Sequence, residues 1–198
     1  QNVVGTDRGI VLWLNSLKPT LYFEDVSSQY QYFDTSGTLS TGTWNHVVLT
    51  MSGQASRTGG DTTGIDVYID GVSQSISNAG ASGSVGTISP TGDIIIGAKH
   101  GTSAFFDGSM DQVVVYDRVL TNSEVSALYN SGSGTTTVPT TNLIAHYNFE
   151  QTGNTLENQI PAPPTPQKLL GLNDVTFNVG HDSANVDETV TTTTTTSG

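Results

Sequence analysis

Apolar and polar side chains alternate between Thr43 and Gly71 with the period of a β-strand. Val47, Leu49 and Met51 alternate with Val48 and Thr50, and Ile65, Val67 and Ile69 alternate with Asp66, Tyr68 and Asp70. Successive strand residues point to opposite faces, so each run has two distinct faces. Asp70-Gly71, between Ile69 and Val72, predicts a tight hairpin, because both central residues of a primed turn need positive φ. Upstream, Ile10–Leu14, Leu21–Phe23 and Tyr30–Phe33 read as three more strands. The first two are joined by a turn over 15–20 in which Pro19 fixes the backbone.

Downstream of the hairpin, residues 77–86 are almost wholly Ser, Gly, Ala and Asn, which predicts a surface loop. Residues 93–97 (DIIIG) form a continuous apolar run, expected to be a strand buried on both faces. A loop over 99–108 carries an exposed Phe105-Phe106 pair, and a strand over 109–116 follows. Then the period changes. Thr121 and Glu124 form a capping box, and Val125, Leu128 and Tyr129 fall on one face of a helix over 122–130 that stops at Gly132. Residues 131–141 (SGSGTTTVPTT) have linker composition. Beyond them Leu143, Ala145, Tyr147 and Phe149 alternate with polar residues, prolines at 161–166 break regular structure, and Val175–Val179 resumes it. The threonine tail over 188–198 has too little apolar surface to fold by itself.

Composition narrows the class. Twenty-two glycines, abundant Ser and Thr and a single helical stretch favour an all-β chain with many turns. Eighteen acidic residues against six basic ones, a net charge of −12, repel nucleic acid and anionic lipid. The same surface tolerates calcium, whose preferred ligands are oxygens. The absence of cysteine excludes disulfides, thiolate zinc sites and cysteine nucleophiles. No apolar run reaches the ~20 residues that span a bilayer. The chain starts at Gln1, which suggests a mature product or a fragment.

Three segments, TGTWNHVVLT (41–50), IDVYIDGV (65–72) and FFDGSMDQVVVYDRVLTNSEVSALY (105–129), resemble in order and spacing the laminin-G-like domains with a concanavalin A-type jelly roll. The resemblance covers about 9–129 and implies two antiparallel sheets packed face to face. Members of the family usually open with a strand that reads like LIAHYNFE, which here stands at 143–150, after the helix. Either the chain is cut from tandem repeats or its repeat is permuted. The expected organisation is a jelly roll over 1–130 lacking its usual opening strands, a linker over 131–141, and a segment over 142–187. That segment either begins a second repeat or completes a jelly roll. Leu143, Ala145, Tyr147 and Phe149 are then candidates for strand exchange, filling the vacant slot in their own domain or in a neighbouring copy.

The chemistry-bearing residues suggest recognition more than catalysis. A glycosidase needs two carboxylates flanking one bond. Glu24 and Asp25 are adjacent and so on opposite strand faces, and Glu124 is committed to the cap. Trp44 and His46, two apart, are expected to share a core-facing side, and no histidine spacing matches a zinc motif. The resemblance implies a structural Ca2+ held by Asp111 at the entry to the last strand, with backbone carbonyls completing it. Otherwise Asp111 caps a turn or pairs with Arg118. Sugar binding needs an exposed aromatic beside polar groups, and Trp13, Tyr22, Tyr30, Tyr32, Phe105 and Phe106 are the candidates. Three functions follow. The first is a non-catalytic extracellular recognition or adhesion module, whose partner is a glycan or a surface protein. The second is a structural subunit of a surface assembly (filament, cell-surface layer or virion) built from neighbouring copies. The third is a glycoside hydrolase. The expected location is extracellular, or at a cell or virion surface.

Overall fold

The computed structural model describes residues 9–52, 58–86, 95–98, 105–150, 158–160 and 175–179. These residues form two antiparallel sheets packed as a sandwich. The first contains β1 (Gly9–Asn15), β2 (Lys18–Glu24), β3 (Tyr30–Thr35) and β7 (Ile76–Ala81), in that order across the sheet. The second contains β4 (Val47–Met51), β5 (Ile65–Ile69), β6 (Val72–Gln74), β8 (Val113–Tyr116), β9 (Leu143–Tyr147) and β10 (Val175–Val179). Its order is β6-β5-β4-β10-β8-β9, with every neighbour antiparallel. Among the described residues the fold is therefore an all-β sandwich with one short α-helix.

The alternation read from the sequence decides what lies between the sheets. Leu21, Phe23 and Phe33 from one sheet meet Leu49, Met51, Ile65, Val67, Val115 and Ala145 from the other. Each is 5% exposed or less, and burying one such side chain contributes about 1.5–3 kcal/mol. The opposite face of the larger sheet is buried too. There Val48, Tyr68, Val114 and Tyr116 pack under Val125 and Leu128 of helix α1 (Asn122–Tyr129). Two apolar faces explain why the strands of this sheet carry so few charges.

The local punctuation is satisfied as its chemistry requires. Asp70 and Gly71 both have positive φ, +52° and +75°, joining β5 to β6 by a tight turn. Thr121 Oγ1 accepts from Glu124 N, and Glu124 Oε2 accepts from Thr121 N at 2.9 Å, completing the capping box. Asn130 ends the helix in the left-handed region. The stretch over 131–141 runs beside the helix side of the sheet, where Val138 packs against the outer cluster.

Several local expectations are corrected. Pro19 lies inside β2 rather than in the turn, which is made by Ser16 and Leu17 with φ of +52° and +68°. Its missing N–H is tolerated because the ladder with β3 starts one residue later, at Thr20↔Asp34. Residues 77–81 are not loop but most of β7, an edge strand on β3. Backbone pairing needs no apolar side chain, so composition alone concealed it. Of the run expected as a buried strand, Asp93 and Ile94 lie outside the described residues. Ile95–Gly97 lies outside any strand, and Ile95 is 52% exposed. The strand expected over 109–116 begins only at Val113, because Gln112 takes φ +49° and breaks the extended backbone. Likewise β9 ends at Tyr147, with Phe149 at φ +56°. Trp44 stands before β4 and is 44% exposed, while His46 is buried and stacked on Tyr129, so the two do not share a core face.

Candidate functional site

The outward face of the smaller sheet collects four of its six aromatic residues, Trp13, Tyr22, Tyr30 and Tyr32. Register pairs Trp13 with Thr20, and Thr20 with Asp34, making one row across β1, β2 and β3. A second row runs Val11, Tyr22, Tyr32 and Gly80, and a third pairs Glu24 with Tyr30. Directly paired residues share a face, so all of these stand opposite Leu21, Phe23 and Phe33 of the core. The period of two along β2 (Thr20, Tyr22, Glu24) and β3 (Tyr30, Tyr32, Asp34) generates the whole surface.

The rings on this face form a ladder. Centroids of Trp13 and Tyr22 are 5.7 Å apart, those of Tyr22 and Tyr30 5.8 Å, and those of Tyr30 and Tyr32 6.5 Å. The planes of these pairs are inclined by only 24°, 21° and 25°. Tyr22 is the buried middle rung at 2% exposure, and its hydroxyl donates to Glu24 Oε2 at 2.6 Å. Trp13, Tyr30 and Tyr32 are half-buried and keep part of their rings toward solvent. Beside Trp13, Thr20 Oγ1 donates to Asp34 Oδ1 at 2.7 Å, and Asn15 Nδ2 stands 3.5 Å from Asp34 Oδ2. An apolar ring next to a carboxylate and an amide can hold the C–H face of a sugar while accepting its hydroxyls.

The two acidic residues of this face stand at widely separated backbone positions. Glu24 lies opposite Tyr30 and Asp34 opposite Thr20, four residues along the strand, or roughly 13 Å at about 3.3 Å per residue. Paired hydrolytic carboxylates stand roughly 5–10 Å apart. Asp25 leaves the strand altogether. Its Oδ1 accepts from Ser27 N and Gln29 N, and its Oδ2 from Gly86 N, so it organises the β2–β3 turn.

Asp111 is buried at the entry to β8, and its Oδ1 accepts from Gln112 N at 2.8 Å. Gln112 Oε1 in turn lies 2.8 Å from Nε2 of His146 on β9. Arg118 makes two hydrogen bonds to Glu124, at 2.8 and 2.7 Å. No cluster of three or more His, Asp and Glu side chains among the described residues is placed to hold a metal. An ion at Asp111 would draw its other oxygens from backbone and amide carbonyls, which suits calcium better than zinc.

The remaining candidates fall elsewhere. Phe105 and Phe106 are 63% and 39% exposed on a stretch outside both sheets, where Phe106 N donates to Gly97 O. Leu143, Ala145 and Tyr147 lie in β9, paired with β8 of the same chain, while Phe149 lies beyond its end. Thr20, Asp34 and Gly80 belong to the aromatic face but were not singled out in the sequence. Their signal was the shared parity with Tyr22 and Tyr32.

Residues 1–126, more than half of the chain, match the family model of the concanavalin A-like lectin/glucanases superfamily, laminin G type. The chain belongs to that superfamily. It is a lectin-like β-sandwich, a class associated in general with recognition and adhesion. No curated protein and no solved structure matches it. Among the described residues, no helix is long and apolar enough to cross a membrane.

Proposed function

We propose that the chain is a non-catalytic, extracellular recognition module that binds carbohydrate on the aromatic face of its smaller sheet. The observation that carries this reading is the ladder Trp13–Tyr22–Tyr30–Tyr32 set beside Thr20 and Asp34. Buried Tyr22 supports the outer rings, Trp13 offers the stacking surface, and Asp34 with Asn15 supplies directional hydrogen bonds. Nucleic-acid bases also stack on aromatic rings, but the charge of −12 disfavours nucleic acid. A Ca2+ ion at Asp111 is part of the same proposal, as a structural rather than a reactive element.

The test is a glycan array followed by calorimetry on the intact chain, Trp13→Ala and Asp34→Asn. Binding by the intact chain, lost in both variants at unchanged melting temperature, is the expected result. If no glycan binds, or if both variants bind as the intact chain does, the reading falls. The second reading, a structural subunit of a surface assembly, is favoured by one separate observation. Two strands of the larger sheet, β9 and β10, come from the segment beyond residue 142.

A further inference from the structure

The larger sheet is interrupted in sequence at its centre. β4 and β8 are not neighbours; β10 lies between them, pairing with Val47–Met51 on one side and Val113–Tyr116 on the other. Its register sets Phe177 opposite both Leu49 and Val115, and Asn178 opposite both Val48 and Val114. Those four partners are 0–1% exposed, so the position is the middle of the sandwich and not a rim. Without β10, two rows of backbone N–H and C=O groups would face each other unpaired across a one-strand gap. Unpaired strand edges recruit any extended segment of suitable pattern.

The segment that fills the gap is attached in an unusual way. β9 pairs with the far edge of β8, so the chain must cross from one side of β8 to the other through residues 148–174. Gln159 N donates to His146 O and His146 N donates to Asn158 Oδ1, holding 158–160 on β9. The span left to β10 is therefore 161–174, up to roughly 46 Å at about 3.3 Å per residue and enough to reach an adjacent molecule. β10 also forms the pairings most distant in sequence, joining 175–179 to 47–51. Pairings so distant in sequence form slowly, because the loop-closure entropy must be met before the contacts reward it.

We propose that the gap between β4 and β8 is an acceptor for β10 of a second copy of this chain, while β9 stays on β8 of its own chain. This rests on the assembly reading and deepens it by naming the contact. The fit is already visible within one chain, and an identical segment from a neighbour makes the same hydrogen bonds. What decides between the two is concentration. A tether of this length gives its own strand an effective concentration in the millimolar range. Dilute chains close on themselves, whereas chains crowded to comparable concentration exchange. Because each copy then donates to the next and accepts from the previous one, the contact repeats head to tail without closing.

Cysteine is absent from the chain, so engineered thiols report cleanly. Thr50 and Thr176 are Cα partners in the β4–β10 ladder. Chains carrying only Thr50→Cys and chains carrying only Thr176→Cys are mixed, unfolded, refolded together at high concentration and oxidised. A disulfide joining the two chains is expected, at several-fold higher yield than when Ser73→Cys replaces Thr176→Cys. Yield no greater than that control overturns the proposal. Since a cysteine variant can misfold, isotopically light and heavy copies of the unmodified chain are also co-refolded. Mixed oligomers in native mass spectra are expected at high concentration, and monomer alone at every concentration overturns exchange. Ordered polymers in which a Thr50→Cys/Thr176→Cys double variant cross-links only within chains would retain the assembly reading and reject exchange. Glycan binding is scored separately, so its failure and this one are distinguishable.

Discussion

Tyr32 lies across Gly80. The two are register partners on β3 and β7, and a β-carbon at Gly80 would stand 2.7 Å from Cζ of the tyrosine ring. Gly80→Ala is therefore expected to displace the ring rather than unfold the sheet, because the ring is half-buried and can yield. A displaced rotamer costs about 0.5–1.5 kcal/mol. The measurable result is a changed near-ultraviolet dichroism signal and weakened glycan binding, with a melting temperature lowered by only a few degrees. Unchanged aromatic signals would show that Tyr32 does not use this glycine as its seat.

Glu124 closes the helix cap and receives Arg118. The guanidinium hydrogen bonds hold its carboxyl well below the usual range, at about 2, with the Thr121 bonds acting in the same direction. A depressed carboxylate pKa stabilises the fold above the unfolded value of 4.5, and that contribution is lost as pH falls toward about 2. Glu124→Gln keeps a capping side chain but removes the charge. It should lower stability at pH 7 by about 1 kcal/mol or less, since the pair is partly exposed. The gap between variant and parent should close as the melt is repeated at falling pH.

His146 gives a second pH effect at higher pH. Burial lowers its pKa below 6.5, so the folded state prefers the neutral ring beside Gln112. Stability from this group is complete above pH 6.5 and declines below it, because the unfolded chain binds the proton more readily. His146→Gln should flatten melting temperature between pH 5 and pH 7 relative to the parent. A parent profile already flat across that window would reject the assignment.

Calcium at Asp111 makes a direct prediction. A site occupied a hundredfold above its dissociation constant adds about 2.7 kcal/mol, so EDTA should lower the melting temperature of the parent by several degrees. Asp111→Ala should remove that sensitivity. Absence of any chelator effect on the parent would reject the ion and leave Asp111 in a structural role, including its acceptance from Gln112 N.

How legible these features were depends on where their cause lies. Asp70-Gly71 and Thr121…Glu124 were readable because turn and cap chemistry are local. Val175–Val179 was readable as a strand, but its place between β4 and β8 was not, since pairing partners over 120 residues away leave no mark on a short alternating run. β7 was missed because Ser77–Ala81 packs almost nothing, and its stability comes from the β3 backbone. Trp13 and Tyr22 were recognisable as candidates, yet only register shows that Tyr22 is the interior rung and that Asp34 adjoins Trp13 through Thr20. Trp44 misled because its spacing from His46 suits a strand that in fact begins only at Val47.

Tyr116 provides the last test, and its sign is opposite to that of most core substitutions. The side chain is fully buried in the cluster beneath helix α1, with Arg118 5.3 Å from its ring centroid. Its hydroxyl has no hydrogen-bond partner among the described residues. Burial raises its pKa well above the ordinary 10, with Arg118 opposing and Glu124 adding to the rise, so the group stays a neutral, desolvated phenol. An unsatisfied buried hydroxyl costs about 1–3 kcal/mol, whereas the ring around it contributes packing. Tyr116→Phe removes the cost and keeps the ring, so it should raise stability by about 1 kcal/mol and the melting temperature by about 2–4 °C. Tyr116→Ala removes the ring as well and should cost about 3–5 kcal/mol, as large-to-small core changes do. The pair of variants separates the two contributions. A lower melting point for Tyr116→Phe would mean that the hydroxyl is satisfied in solution, by a buried water or by a residue outside the described set.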